Sequence, residues 1–170
     1  GDGGALFTTD DELAEKFRWI RVHGQERKHH HPILGLNGRM DTIQAAILLE
    51  ILEVFPDEVT NREYLGNAYS EGLTQLGGLK TPTIGEHNTS VYAQYTILSN
   101  NREGIQSILK EKDIPSVSYY SVPLHLQPVF ENLGHKEGNF PVAEKVANQC
   151  LSLPISPYLS EDDQIKVIDS

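Results

Sequence analysis

An amide and a guanidinium lie close together in the segment Gly35-Leu36-Asn37-Gly38-Arg39-Met40-Asp41. The segment directly precedes a helix signature, so these side chains are expected near the start of a helix. Asn37 can donate to a phosphate oxygen, and Arg39 can form a bidentate pair with a phosphate or a carboxylate. The spacing favours an anionic ligand; the alternative is a turn at Asn37-Gly38 and a surface ion pair of Arg39.

Two phenols and an imidazole are grouped at the end of a predicted strand. Tyr119 and Tyr120 are followed shortly by Val122-Pro123-Leu124-His125. Such a group can stack on a nucleotide base or hold a sugar. The alternative is an aromatic core with one exposed histidine.

The consecutive histidines His29-His30-His31 suggest a metal site. However, neighbouring residues do not face one ion as an i, i+4 pair on a helix does, and no carboxylate lies at ligand spacing. We therefore expect a polar loop and no metal. Gly1-Asp2-Gly3-Gly4 could cradle a phosphate, but it precedes a predicted strand rather than a helix.

The elements that must position these residues begin with a short apolar strand at residues 5–7. Thr9 and Glu12 have capping-box spacing, which predicts a helix that starts there and ends at Gly24. Residues 25–32 are polar and predict a loop.

A second capping signature, Asp41-Thr42-Ile43-Gln44, opens the next helix. Its apolar residues cover most of its circumference as far as Phe55, so this helix is predicted to be buried. Pro56 suits the first position of a further helix, which Gly77-Gly78 ends.

Strands and helices are both predicted in the rest of the chain, which indicates an α/β or α+β domain. A domain boundary is expected near Phe55-Pro56. In helix 141–150, Val142, Val146 and Cys150 are expected to face inward. The predicted strands are 80–84, 91–98, 116–120 and 151–155, and the predicted helices are 101–112, 141–150 and one that Ser160 caps.

Composition excludes several classes of protein. The 170 residues are 38% hydrophobic and carry a formal net charge of −10, which disfavours a nucleic-acid binder. Cys150 is the only cysteine, which excludes an internal disulfide and suggests the reducing cytoplasm. The apolar run 45–49 is far shorter than the ~20 residues that span a membrane. Because the only methionine is Met40, in mid-chain, we expect an excised, processed or truncated piece.

Several motifs, in order along nearly the whole chain, resemble the DegT/DnrJ/StrS family of nucleotide-sugar aminotransferases. Within this family, the motif sequences are most similar to those of the enzymes that aminate UDP-2-acetamido-2-deoxy-3-oxoglucuronate at C3 for bacterial surface-polysaccharide synthesis. The motifs are Gly1-Asp2-Gly3-Gly4-Ala5, Asn37-Gly38-Arg39-Met40-Asp41 with Gln44-Ala45-Ala46, Tyr92-Ala93-Gln94-Tyr95-Thr96, Val122-Pro123-Leu124-His125-Leu126-Gln127-Pro128 and Phe140-Pro141-Val142-Ala143-Glu144-Lys145.

The resemblance implies the C-terminal part of a fold type I transferase that uses pyridoxal 5'-phosphate (PLP). Residues 1–55 would form the edge of the large PLP-binding domain, and residues 56–170 the small α+β domain. The enzyme would transfer an amino group from glutamate to a keto nucleotide sugar. The family's Schiff-base lysine precedes the Gly1-Asp2-Gly3-Gly4 element, so this piece alone is expected to be inactive.

The resemblance also implies site residues in a homodimer with shared active sites. Asn37 matches the asparagine that reaches the neighbouring subunit's PLP phosphate, and Arg39 matches a position near the anionic groups of the sugar nucleotide. Tyr119 falls close to a substrate-contacting tyrosine, and His125 is assigned to the substrate with it. Ser118 stands where close relatives often have histidine, so the exact sugar stays open.

Two alternatives remain at this stage. Some relatives replace the lysine with histidine and dehydrate their sugar, so a PLP-dependent dehydratase is possible. A non-catalytic binding or assembly module is the other alternative, favoured if the 170 residues were the whole natural product.

Overall fold

The structure, a computed structural model, describes residues 3–170. The chain divides into two compact units, Gly1–Val54 and Phe55–Ser170. Helices and strands both occur, which confirms the α/β class. The elements are α1 (Asp11–Ile20), α2 (Thr42–Thr74), β1 (Leu79–Lys80), β2 (Tyr95–Ser99), α3 (Arg102–Glu111), α4 (Pro141–Gln149), β3 (Cys150–Leu153) and α5 (Glu161–Ile168), with 3₁₀ turns at Leu124–Leu126 and Pro128–Leu133.

The beginning of the first unit differs from the prediction. Residues 5–7 form no strand, and Leu6 and Phe7 are 74% and 92% exposed. A strand needs a hydrogen-bonded neighbour, and among residues 3–170 no strand pairs with this segment. Gly1 and Asp2, from the segment considered as a phosphate cradle, lie outside the described residues.

Helix α1 starts one residue later than predicted. Asp10, not Thr9, is its N-cap, because the Asp10 Oδ1 accepts a hydrogen bond from the Leu13 N–H at 3.0 Å. Both residue types suit this position, and local geometry decides between them. The predicted loop at 25–32 is confirmed.

Helix α2 is continuous through Pro56, so the prediction of a separate helix beginning there is wrong. Proline in a helix interior removes one backbone hydrogen bond, but the helix-forming sequence on both sides continues the helix. The predicted burial of its first half is also wrong, since Ile43 and Leu52 are 78% and 59% exposed. An apolar helix surface shows what a helix can bury, while its cover must come from other segments.

A three-stranded antiparallel sheet in the order β1-β2-β3 forms the centre of the second unit. Leu79 pairs with Ser99, and Tyr95 pairs with Leu153. The strands are shorter than predicted because pairing stops where the partner strand ends. The buried core consists of Tyr69, Leu73, Tyr92, Tyr95, Ile97, Leu109, Ile114, Leu151, Leu153 and Val167.

The predicted strand 116–120 is reduced to one bridge. Val117 and Ser152 exchange two backbone hydrogen bonds, of 3.2 and 2.7 Å, and the neighbouring residues make no ladder. The prediction of a strand here is therefore wrong. The β-type side chains of this segment favour extended backbone, but only Val117 finds a partner on β3.

Helices α3 and α5 confirm the predictions for 101–112 and for a helix capped by Ser160. Cys150, which begins β3 directly after α4, is buried, but Val142 is 75% exposed and Val146 is also exposed, which corrects the predicted inward face. Ala147 is the buried residue of α4 instead. Across residues 3–170, no helix is long and apolar enough to cross a membrane.

Candidate functional site

In the first unit, backbone hydrogen bonds hold the segment that carries Asn37 and Arg39. The Leu36 N–H donates to the Ile20 carbonyl at 2.8 Å, and the His23 N–H donates to the Leu36 carbonyl at 3.0 Å. The Gly38 N–H donates to the Arg21 carbonyl at 2.9 Å, which leaves Asn37 opposite Val22 in an antiparallel bridge. Asn37 therefore sits on a backbone fixed from both sides.

Two glycines allow this segment to lie against the end of α1. Gly24 has a φ of +72°, and a Cβ on Gly35 would lie only 2.0 Å from the Gly24 nitrogen. Side chains at either position would collide with backbone. The close approach of these two backbone segments thus requires glycine at both positions.

The side chains of Asn37 and Arg39 are exposed, and within residues 3–170 neither forms a hydrogen bond or an ion pair. The surface ion pair considered for Arg39 does not form in this part of the chain. An amide on a fixed backbone, with an exposed guanidinium two residues further on, leaves N–H donors for an anion, either phosphate or carboxylate.

The histidine segment is occupied by local contacts. The Nδ1 atom of His31 lies 3.0 Å from the His23 carbonyl oxygen, and Nδ1 of His30 lies 2.8 Å from a carboxylate oxygen of Glu26. Residues 3–170 contain no group of three or more His, Cys, Asp or Glu side chains that could hold a metal ion.

In the second unit, Tyr119 and His125 line different cavities. Tyr119 is 43% exposed and lines a cavity of about 320 Å³, together with Gln94, Ser116 and Ser152. His125 lines a larger, mostly apolar cavity of about 760 Å³. The sequence prediction grouped these two residues, but the structure does not bring them together in one cavity.

The hydroxyl of Ser118, the residue before Tyr119, is turned toward the sheet. It donates to the Cys150 carbonyl at 2.9 Å. Tyr119 contacts Tyr120 edge to face, with ring centroids 5.8 Å apart. Tyr120 lines the larger cavity, so the two neighbouring tyrosines line different cavities.

Sequence reasoning missed Glu144, which organises the wall around His125. One oxygen, Oε1, lies 2.9 Å from His125 Nε2 and accepts the Phe140 N–H at 3.1 Å. The Gly138 N–H donates to Oε1 at 3.0 Å and to Oε2 at 2.8 Å. A partial signal was available, because a glutamate three residues after the N-cap often bonds the N-cap N–H, and Glu144 lies four residues after Phe140, the N-cap of α4.

Electrostatics and ring packing reinforce this arrangement. The hydrogen bond from Gly138, helped by those from Phe140 and His125, lowers the pKa of Glu144 below its ordinary value against the opposing effect of burial. The Phe140 ring lies 4.7 Å from the His125 ring and 5.0 Å from the His135 ring, centroid to centroid. The His125 side chain is thus held by a carboxylate and an aromatic ring.

Comparison with known proteins gives consistent matches along the chain. The family model described as the DegT/DnrJ/EryC1/StrS aminotransferase family matches residues 1–170. The chain is 46% identical over 168 residues to the UDP-2-acetamido-2-deoxy-3-oxo-D-glucuronate aminotransferase of Pseudomonas aeruginosa. This match covers 99% of this chain and 45% of that protein. It is 44% identical over 171 residues to a pleiotropic regulatory protein of Geobacillus stearothermophilus, covering 99% of this chain and 46% of that protein.

A solved structure shares the fold. The crystal structure of a DegT DnrJ EryC1 StrS aminotransferase from Brucella abortus matches with a TM-score of 0.88 and 42% identity. The match covers 96% of this chain and 43% of that one. The chain therefore spans less than half the length of the relatives it matches.

Proposed function

Because this chain belongs to the DegT/DnrJ/EryC1/StrS aminotransferase family, we propose that it works as the C-terminal part of a PLP-dependent enzyme that aminates a keto nucleotide sugar. The observation that carries this proposal is the 46% identity, along 99% of the chain, to an aminotransferase of UDP-2-acetamido-2-deoxy-3-oxo-D-glucuronate. Glutamate is the proposed amino donor. Bacterial surface-polysaccharide synthesis in the cytoplasm is the proposed setting.

The donor chemistry of the first unit fits the phosphate of PLP. Asn37 presents an exposed amide that no hydrogen bond or ion pair occupies within residues 3–170, on a backbone that α1 and Gly35 hold in place. An amide N–H donating to a phosphate oxygen is a strong, charge-assisted hydrogen bond. Bound PLP would supply an electron sink for the transfer of the amino group. We assign Asn37 to the phosphate of PLP in a neighbouring subunit, within a homodimer that shares its active sites.

The substrate contacts are assigned to three residues. Arg39 carries a planar fork that suits the diphosphate or the carboxylate of a sugar nucleotide. Tyr119 offers a half-exposed phenol at the edge of a cavity of about 320 Å³, where a sugar hydroxyl or a ring face can pack. His125 offers an imidazole to the larger cavity. The lysine that holds PLP covalently is assigned, by family resemblance, to the chain before Gly1.

The test uses the full-length polypeptide that contains these residues, purified with PLP. It is supplied with L-glutamate and UDP-2-acetamido-2-deoxy-3-oxoglucuronate, and both products are quantified by mass spectrometry. We expect equal amounts of 2-oxoglutarate and the 3-amino sugar. Residues 1–170 expressed alone are the matched control and should form neither product.

Other outcomes separate the alternative functions. A sugar that loses water while glutamate is not consumed would identify a dehydratase. Failure of the full-length polypeptide to bind PLP or to turn over either substrate would indicate a non-catalytic binding or assembly module. Transfer by residues 1–170 alone would overturn the assignment of the lysine to the preceding chain.

A further inference from the structure

The protonation pattern of His125 follows from its partner. The His125 side chain is 9% exposed and the Glu144 side chain is 15% exposed. The Nε2 atom of His125 lies 2.9 Å from the Oε1 atom of Glu144. An ionised carboxylate can only accept hydrogen bonds, so the hydrogen of the His125 ring is on Nε2. In the neutral ring, Nδ1 is then a hydrogen-bond acceptor, and within residues 3–170 it has no partner.

Nδ1 of His125 is nevertheless reachable. Nε of Arg102 is the one side-chain N or O atom among residues 3–170 that is buried from solvent and has no hydrogen-bond partner, so Nδ1 of His125 is not buried in this way. The unpartnered Nδ1 of His125 therefore keeps access to open space. His125 lines the cavity of about 760 Å³, so this cavity is open space beside its ring.

The surroundings make this acceptor selective. The rest of the cavity wall is mostly apolar, including Leu124, Phe140 and Val146. A hydrogen-bond donor that enters an apolar cavity loses its hydrogen bonds to water. A single acceptor in the cavity wall therefore favours ligands that place a donor group beside it. The matching group on a nucleotide sugar is a hydroxyl or an amide N–H.

We propose that Glu144 is a positioning residue that holds the His125 ring with Nε2–H toward α4, so that Nδ1 accepts a hydrogen bond from the sugar-nucleotide substrate in this cavity. This inference rests on the proposed function and deepens it. Glu144 does not touch the substrate; it acts through His125. The same carboxylate fixes residues Gly138 and Phe140 beside the ring.

The first measurement concerns the tautomer and needs no activity. Histidine-labelled chains are studied by ¹⁵N NMR at pH 8, and the His125 signals are assigned with a His125→Gln variant. We expect the Nε2–H form in the wild type and in Glu144→Gln, which keeps an oxygen acceptor. Glu144→Met, which has none, should give a mixture of both tautomers.

The second measurement concerns binding by the full-length polypeptide. Because Glu144→Met leaves only part of the His125 rings with an acceptor at Nδ1, the KM for the keto sugar should rise about twofold to fivefold in this variant, with little change in kcat. Glu144→Gln should rescue most of this loss. Glu137→Met is the matched control, because Glu137 is exposed in the loop that precedes α4 and makes no hydrogen bond or ion pair within residues 3–170.

A second variant covers the case in which Glu144→Met fails to fold. His125→Gln can keep the hydrogen bond to Glu144 while it lacks the Nδ1 acceptor, so its melting temperature should hold while KM rises. An unchanged KM in His125→Gln, an Nδ1–H tautomer in the wild type, or equal losses in Glu144→Gln and Glu144→Met would each overturn the inference. If the polypeptide binds the keto sugar without aminating it, the proposed function fails, and calorimetric affinities of the same variants still decide this inference.

Discussion

The ring of Tyr92 lies directly on the backbone of Gly66 in α2, so that a Cβ at Gly66 would be 2.1 Å from the Tyr92 Cδ2 atom. Tyr92 is buried and packs against Tyr95, with ring centroids 5.5 Å apart, at the centre of the second unit. Gly66→Ala should therefore destabilise the protein by about 1–3 kcal/mol through overpacking. This cost is larger than the stabilisation that the higher helix propensity of alanine provides. Urea unfolding of the variant and the wild type measures the difference.

Gly72→Ala is the matched control on the same helix. Its Cβ would meet the Ile168 Cδ1 atom at 2.9 Å, which is the flexible end of a side chain rather than a ring. Alanine is also the better helix former, by about 1 kcal/mol. We expect Gly72→Ala to unfold at a urea concentration close to the wild-type value. Equal destabilisation by both substitutions would contradict the specific contact of Gly66 with Tyr92.

The lowered pKa of Glu144 makes part of the stability dependent on pH. A carboxyl group whose pKa is lower in the folded chain stabilises the fold above its unfolded pKa, and this contribution is lost as the pH falls through the folded pKa. Glu144→Gln does not titrate. The stability advantage of the wild type over Glu144→Gln should thus be full at pH 6–7 and shrink below about pH 4. Urea unfolding of both proteins from pH 7 to pH 3 measures this; a constant difference would contradict the hydrogen-bonded carboxylate.

Short motifs predict the family and the fold class better than they predict exposure. The segment Val122-Pro123-Leu124-His125 and its companions identify the family, and the match of residues 1–170 confirms this. Capping signals also carry local information, as Ser160 at the start of α5 shows. The exposed Ile43 and Leu52 were predicted to be buried, because an apolar pattern does not specify what covers a helix.

Side-chain contacts between distant segments are the part that the sequence does not reveal. His125 and Glu144 are 19 residues apart, and their hydrogen bond depends on how the turn at Leu124–Leu126 packs on α4. Pairing of residues 116–120 likewise depended on β3, which offers only Ser152 to Val117. The site roles of Asn37 and Arg39 stay predictions, supported by the backbone bridge at Asn37 and by two side chains that have no partner within residues 3–170.

Replacing Asn37 should weaken the retention of PLP in the full-length enzyme. A hydrogen bond to a charged group contributes roughly 1.5–3 kcal/mol, so Asn37→Ala should raise the Kd of PLP about tenfold or more. Because Asn37 is assigned to the neighbouring subunit's cofactor, a heterodimer with one substituted subunit should lose PLP from the other subunit's site. Absorbance after dialysis, with each subunit separately tagged, measures the retained cofactor.

Asn61→Ala is the control for this experiment. Asn61 is also exposed and makes no hydrogen bond or ion pair within residues 3–170, but it lies on α2, away from the Asn37 segment in sequence. It should retain PLP as the wild type does. Unchanged affinity in both sites of the Asn37 heterodimer would refute the assignment, and loss from the substituted subunit's own site would place Asn37 in its own active site instead.

Arg39→Lys should separate charge from geometry in the two half-reactions. Lysine keeps the positive charge but loses the planar fork that binds a carboxylate or diphosphate through two hydrogen bonds. If Arg39 binds the anionic part of the sugar nucleotide, the substitution should raise the KM for the keto sugar about tenfold and leave the glutamate half-reaction nearly intact. Single-turnover conversion of the cofactor by glutamate, then turnover with the keto sugar, measures each step, and Arg27→Lys is the exposed control. Equal losses in both steps would mean a general carboxylate site, and no loss in either would return Arg39 to an ordinary surface residue.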